Sequence, residues 1–288
     1  MAPGIYAGDD AQRPLWRNGK EVWYEGQYFG DLMVDECKEF IDANRDKPFF
    51  LYWAINMPHY PLQGKAKWRE KYKDMEAPRR MYATFVSTMD EMVGQVVRHL
   101  DESGLRDNTL IIWLPDHGHS VEQRTFGGGG NSGDYRGHKF TLWEGGIRVP
   151  CIVSWPGRVP QNAVRDQVAV SIDWMPTIAE YCGVKPPDRK IDGQSITSVI
   201  RSANAPSPHD ILYWETGNHW AVRQGDWKLV HNGPATDYKG RKIPKVKDFL
   251  SNMSKDVTET KSIADAHPEI VERLTKLHEA WTADVKQM

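Results

Sequence analysis

Cysteine is scarce in this sequence, three in 288 residues, and the three are scattered with no C-x-x-C pair and no even framework. That excludes a thiolate zinc cluster and a disulfide-stapled scaffold. No block of like charge stands out, since 37 Lys and Arg face 39 Asp and Glu for a formal net charge of -2. Nucleic acid and anionic membrane surfaces are therefore not the expected partners. Also missing is any apolar run of the length a membrane span requires. The opening residues, MAPGIYAGDDAQR, have neither the basic start nor the apolar stretch of an export signal, and the redox compartment stays open. What the length permits is a substantial core, arranged as one large or two smaller domains.

Apolar periodicity divides the chain into alternating helices and strands. Leu32, Met33, Cys37, Phe40 and Ile41 predict a helix over 28–44, ahead of a buried strand over 48–55. Met81, Phe85, Met89, Met92, Val93, Val96 and Leu100 form one stripe and predict a long helix over 78–100, ended by Gly104. Strands are expected over 109–114, 150–155 and 168–171, then a helix over 174–182 capped by Asp173 and closed by Gly183. This alternation argues for an α/β sheet covered by helices. After Ile200, SANAPSPHD reads as a linker. Short strands over 211–215, 220–223 and 227–231, punctuated by Gly217 and Gly225, then suggest an antiparallel meander. A last amphipathic helix is expected over 268–286, with Pro268 in its first turn. The expected domains are 1–202 and 203–288.

The residues that carry chemistry gather at the end of the strand in TLIIWLPDHGHS. Pro115 ends the ladder, which leaves Asp116 and His117 at the strand's carboxyl end, the edge of an open α/β sheet where ligands bind. FGGGGNSGDYRG follows; it lacks the G-K-[ST] ending of a phosphate cradle and reads as a flexible lid or substrate loop. Lys139 comes next, in RGHKFTLWEGGIRVPCIVSWPG, as a compact oxyanion donor. His59, in FFLYWAINMPHYPL, can carry a proton near neutral pH. Each also has an ordinary reading: Asp116 as a turn cap, Lys139 as a solvated lysine, His59 as a satisfied loop histidine. His119 and His138 take secondary roles, and Glu144 orders the loop. Of the 12 tryptophans, Trp143 and Trp220 are candidates to face a cleft and stack on a sugar, while most pack the core.

In wording and order these segments resemble the sulfatases of the alkaline phosphatase superfamily, in the arylsulfatase-like branch. The resemblance runs from about Arg13, in RPLWRNGK, to the C-terminal helix. It implies an alkaline-phosphatase-like sulfatase sheet flanked by helices, incomplete at the N-terminus. A small C-terminal antiparallel α+β subdomain follows, to which WKLVHNG and FLSNMSKDVTET belong. It implies hydrolysis of sulfate esters of carbohydrate or aryl substrates. The alternatives are a phosphodiester or phosphonate ester hydrolase, since a metal and histidines serve both chemistries, and a non-catalytic remnant that binds sulfated glycans.

Residue by residue, the resemblance makes Asp116 a metal-binding aspartate and His117 the following ligand of a divalent cation. The family's cation is calcium, for which an imidazole nitrogen is an uncommon ligand. It makes Lys139 the lysine that binds the sulfate group, and His59 a histidine that contacts the sulfate or helps protonate the leaving oxygen. The family's nucleophile, a formylglycine made from the Cys or Ser of C/S-x-P-x-R, has no counterpart. Cys37, Cys151 and Cys182 all lack the proline, and Ser154, Pro156 and Arg158 in SWPGR occupy the slot of an apolar strand ending in WPG. The expectation is a chain inactive alone, whose unpaired strand edges favour poor solubility or a complementing N-terminal fragment. Members of the family are usually exported.

Overall fold

A computed structural model describes residues 15–24, 26–234 and 246–286, so the expected start of the resemblance at Arg13 lies outside the described residues. The chain gathers into two compact units. The first holds the residues up to Thr109 with Ser120–Gly130, and the second Leu110–His119 with the chain from Asn131 onward.

In the first unit a short hairpin, β1 (Leu15–Arg17) and β2 (Lys20–Val22), precedes helix α1 (Phe29–Asn44), short α2 (Ala66–Lys71) and long α3 (Arg79–Glu102). Of the stripe predicted for α1, Cys37 and Ile41 are buried, joined by Val34, while Phe40 is exposed; Phe85, Met89, Met92, Val96 and Leu100 of the α3 stripe are all buried. The expected strand over 48–55 does not form. Its residues have no ladder, and Phe50 and Tyr52 are 68% and 80% exposed. An apolar run carries strand propensity, but a ladder needs a neighbour, which the described residues do not supply there.

The second unit contains β3 (Ile111–Trp113), α4 (Glu144–Ile147), β4 (Ile152–Ser154), α5 (Trp174–Cys182) and α6 (Thr197–Arg201). These are followed by β5 (Ile211–Thr216), β6 (His219–Gln224), β7 (Trp227–His231), β8 (Asp248–Asn252) and α7 (Pro268–Val285). The α/β character holds, with matched antiparallel ladders: β3 pairs with β4, and β5-β6-β7-β8 forms the expected meander with one strand more. Helix α5 ends at Gly183, whose φ of 66 is the left-handed turn that glycine supplies. The strand expected over 168–171 is replaced by a turn. Asp173 draws in the amides of Val170 and Gln194, each at 2.9 Å, so the Val170 N–H that a ladder would have used bonds to a carboxylate. That carboxylate also takes His209 Nε2 at 2.7 Å, and its side chain is fully buried.

One face of the four-stranded sheet packs Val222, Leu229 and Leu250 against Ile270 and Leu274 of α7. The other supplies Ala221, Val230 and Phe249 to a second cluster with Leu142 and Trp143. The period-two alternation of β6, β7 and β8 thus feeds two cores. Truncating Leu250, which is 0% exposed, to alanine is expected to lower the unfolding free energy by about 2–5 kcal/mol, read as a shifted urea midpoint at constant m-value.

Candidate functional site

Beyond β3, Leu114 and Pro115 lead to Asp116, whose side chain is 84% exposed. Its Oδ1 accepts the His117 amide at 3.0 Å, and its Oδ2 lies 3.2 Å from His117 Nε2. The ring's Nδ1 is 2.8 Å from the Gly118 carbonyl, which only accepts, so Nδ1 carries the hydrogen. Nε2 and the carboxylate then face each other as two acceptors unless a second proton or a cation lies between them. A ring fixed through Nδ1 is the arrangement in which Nε2 ligates a metal. The pair therefore fits as part of a cation site, while among the described residues no group of three or more His, Cys, Asp or Glu could hold a metal.

The Lys139 loop is fastened to the same place. Its amide donates to the His119 carbonyl at 2.8 Å, and the Gly118 amide donates to the Gly146 carbonyl at 2.9 Å. Gly145 in turn donates to the Arg136 carbonyl at 2.6 Å. Three stretches of backbone touch with no side chain between them. A Cβ on Gly118 would stand 1.9 Å from Gly145 O, and one on Gly146 would stand 2.2 Å from Thr141 O. Lys139 is half-buried, with Nζ 4.8 Å from the Phe140 ring centroid. Phe140 has φ 72, a left-handed conformation that costs a bulky residue about 1–3 kcal/mol. His138 and His119 stand edge to face beside it at 6.3 Å. Burial, and then the charge of His138, hold the His119 imidazole below its ordinary value.

Beneath this backbone cluster lies a set of buried charges that the sequence reading missed. Lys228 of β7 is completely buried, with Nζ 2.8 Å from both Glu144 Oε1 and Glu259 Oε1. Glu259 Oε2 accepts the Glu144 amide at 2.6 Å at the start of α4. Burial pushes the Glu144 carboxyl up, but Lys228, with help from Arg223 and Arg148, outweighs it and holds the group below its usual range. For Glu259 burial wins over Lys228 and the carboxyl is raised. Arg136 closes the cluster. It donates to the Glu259 carbonyl at 3.0 Å, with its guanidinium 3.8 Å from the Trp143 ring centroid and 4.7 Å from that of Phe249. The end of the supposed flexible loop is thus anchored in the core. A lysine inside the apolar strand WKLVH was the one signal available in sequence.

His59 belongs to the first unit, on an exposed turn, with Nδ1 2.9 Å from the Tyr60 carbonyl and its ring tilted over Tyr60 at 4.1 Å. The two tryptophans proposed for a cleft are structural. Trp143 is 2% exposed, and Trp220 is stacked between His231 at 4.8 Å and His278 at 4.1 Å. Those imidazoles are paired with Asp248 at 2.6 Å and Glu215 at 2.9 Å.

The family model described as sulfatase matches residues 4–184, more than half of the sequence. The chain belongs to the sulfatase family. A second family model, N-sulphoglucosamine sulphohydrolase, C-terminal, matches residues 133–280. Arylsulfatase D of Homo sapiens is 33% identical over 214 residues, covering 70% of this chain and 35% of that protein. A sulfatase of Formosa agariphila is 30% identical over 280 residues, covering 88% of this chain and 49% of its own length. Among solved structures, Ps i-CgsB superposes with a TM-score of 0.80 at 28% identity, over 93% of this chain and 58% of that one. The chain thus spans half or less of the length of these two curated sulfatases.

Gly118→Ala is expected to destabilise the second unit by about 1–3 kcal/mol, as overpacking does, and to speed amide exchange around His117 and Gly146. A second expectation concerns Asp256, whose carboxylate accepts Thr258 Oγ1 at 2.9 Å, the Thr260 amide at 2.9 Å and the Lys261 amide at 3.1 Å, closing the loop that carries Glu259. Burial raises its pKa, and these hydrogen bonds more than reverse the effect, leaving it below its ordinary value. Its stabilisation is therefore complete above the unfolded value of about 3.9 and lost as pH falls through the lower folded one. Asp256→Asn should be less stable at neutral pH and show a flatter acid limb in a series of melting temperatures.

Proposed function

We propose that this chain grips the sulfo group of a sulfated carbohydrate or aryl sulfate, and that the ester is cleaved only when a nucleophile-bearing segment completes the site. Family membership supports sulfate ester hydrolysis as the chemistry. The observation that carries the proposal is the backbone cluster that fastens the Asp116–His117 pair and the Lys139 loop to one turn, through Gly118 to Gly146 at 2.9 Å and Lys139 to His119 at 2.8 Å. In this reading Asp116 and His117 Nε2 hold a divalent cation, calcium by family resemblance. Such a cation neutralises charge that develops on oxygen. Lys139 supplies positive charge to the non-bridging oxygens.

Carbohydrate is favoured as the substrate class because one solved relative is Ps i-CgsB in complex with k-i-k-neocarrahexaose. No residue of the 288 meets the nucleophile's requirements, so the chain alone does not turn over. The exposed Phe50 and Tyr52, in a segment with strand composition, support a complementing N-terminal fragment as the partner.

The 288-residue chain should release no sulfate from an aryl sulfate, whereas the same chain joined to a formylglycine-bearing segment should. Sulfate release by the chain alone at the rate of that completed enzyme would overturn the proposal. In the completed enzyme Lys139→Ala should cost about 1.5–3 kcal/mol of binding, roughly ten- to hundredfold in affinity for a sulfated oligosaccharide by calorimetry. Unchanged affinity would remove Lys139 from the site.

A further inference from the structure

We infer that Lys228 and Glu259 are positioning residues: their buried network with Glu144 sets where Lys139 and the Asp116–His117 pair stand. The inference rests on the reading of those three residues as the sulfo-group grip. None of the network's outer members belongs to the site. Lys228 comes from β7 and Glu259 from the loop after β8, yet both converge on Glu144, which opens the turn to which the site segments are tied.

Stability alone does not account for this arrangement. The Lys228, Glu144 and Glu259 side chains are 0%, 5% and 0% exposed, and taking three charges out of water costs more than packing apolar side chains of the same volume. What charges provide and apolar groups do not is direction. Nζ of Lys228 spans the two carboxylates at 2.8 Å each, and Glu259 Oε2 holds the Glu144 N–H at 2.6 Å, so the first residue of α4 is fixed through both its side chain and its backbone. One residue further, Gly145 N–H reaches the Arg136 carbonyl, and at the next residue the Gly146 carbonyl receives Gly118 N–H. The left-handed φ of 54 at Glu259 belongs to the same device, since a non-glycine residue takes up that conformation only where its surroundings over-determine it. From Glu144 onward the path to Gly118, the neighbour of His117, runs through backbone and one backbone hydrogen bond, with no side chain in it.

Two measurements on the full chain test this: hydrogen exchange by mass spectrometry, and calorimetric titration with inorganic sulfate. The variants are Glu259→Gln, which keeps the shape of the side chain, the stronger Lys228→Met, and Leu250→Ala as a destabilised control on the opposite, α7-facing side of the sheet. Glu259→Gln should melt cooperatively, exchange about tenfold faster over 116–119 and 138–146 while β6 stays protected, and bind sulfate about tenfold more weakly. Leu250→Ala should change neither local exchange nor affinity. The inference is overturned if exchange over those segments is unchanged in Glu259→Gln, or if Leu250→Ala accelerates it equally. If wild type and Lys139→Ala bind sulfate alike, the reading of the grip fails, and the exchange comparison still decides whether the network positions the turn.

Discussion

An ammonium group with no access to water must find its counter-charges within the protein, and Lys228 finds both of its own far away in sequence, at Glu144 and Glu259. Breaking such a set by removing one member leaves an uncompensated buried charge, at a cost of about 3–5 kcal/mol. The sheet, the turn at Glu144 and the loop after β8 are therefore coupled through one set of charges. The unequal outcome for the two carboxylates has the same origin. Glu144 is served by Lys228 with Arg223 and Arg148 nearby, whereas the fully buried Glu259 shares Lys228 with Glu144 and feels its repulsion. Around this core the aromatic faces of Trp143 and Phe249 give the Arg136 guanidinium a seat that water would otherwise supply.

The site is built of backbone more than of side chains. Gly118, Gly145 and Gly146 lie against carbonyl oxygens at distances that no Cβ tolerates, so the motif letters D-H-G and E-G-G describe one contact surface seen from two directions. The two stretches meet although His117 and Glu144 stand 27 positions apart in the chain. The exposed Asp116 carboxylate and the imidazole held through Nδ1 are what that surface presents to solvent.

Much of the fold was legible in sequence because it is written in local periodicity. The stripes of α1 and α3, the glycine-ended α5, and the strands β5, β6 and β7 all follow from spacing three-to-four or two. Two expected strands failed for different reasons. Residues 48–55 have the composition but no neighbour, and Val170 gives its amide to the Asp173 carboxylate. Asp116, His117 and Lys139 could be picked out from their motifs, and Glu144 could be given an ordering role. Lys228, Glu259 and Arg136 could not be joined to them, because an ion network between residues 84 and 115 positions apart leaves no periodic trace. Trp143 and Trp220 show the converse, since an aromatic residue beside a motif reads equally as platform or as packing.

The stack of His231, Trp220 and His278 has one more consequence. Trp220 of β6 lies between His231 of β7 at 4.8 Å and His278 of α7 at 4.1 Å, each imidazole backed by an acid. Undocking the last helix would bare one face of this indole, so Trp220 is placed to report whether that helix is seated.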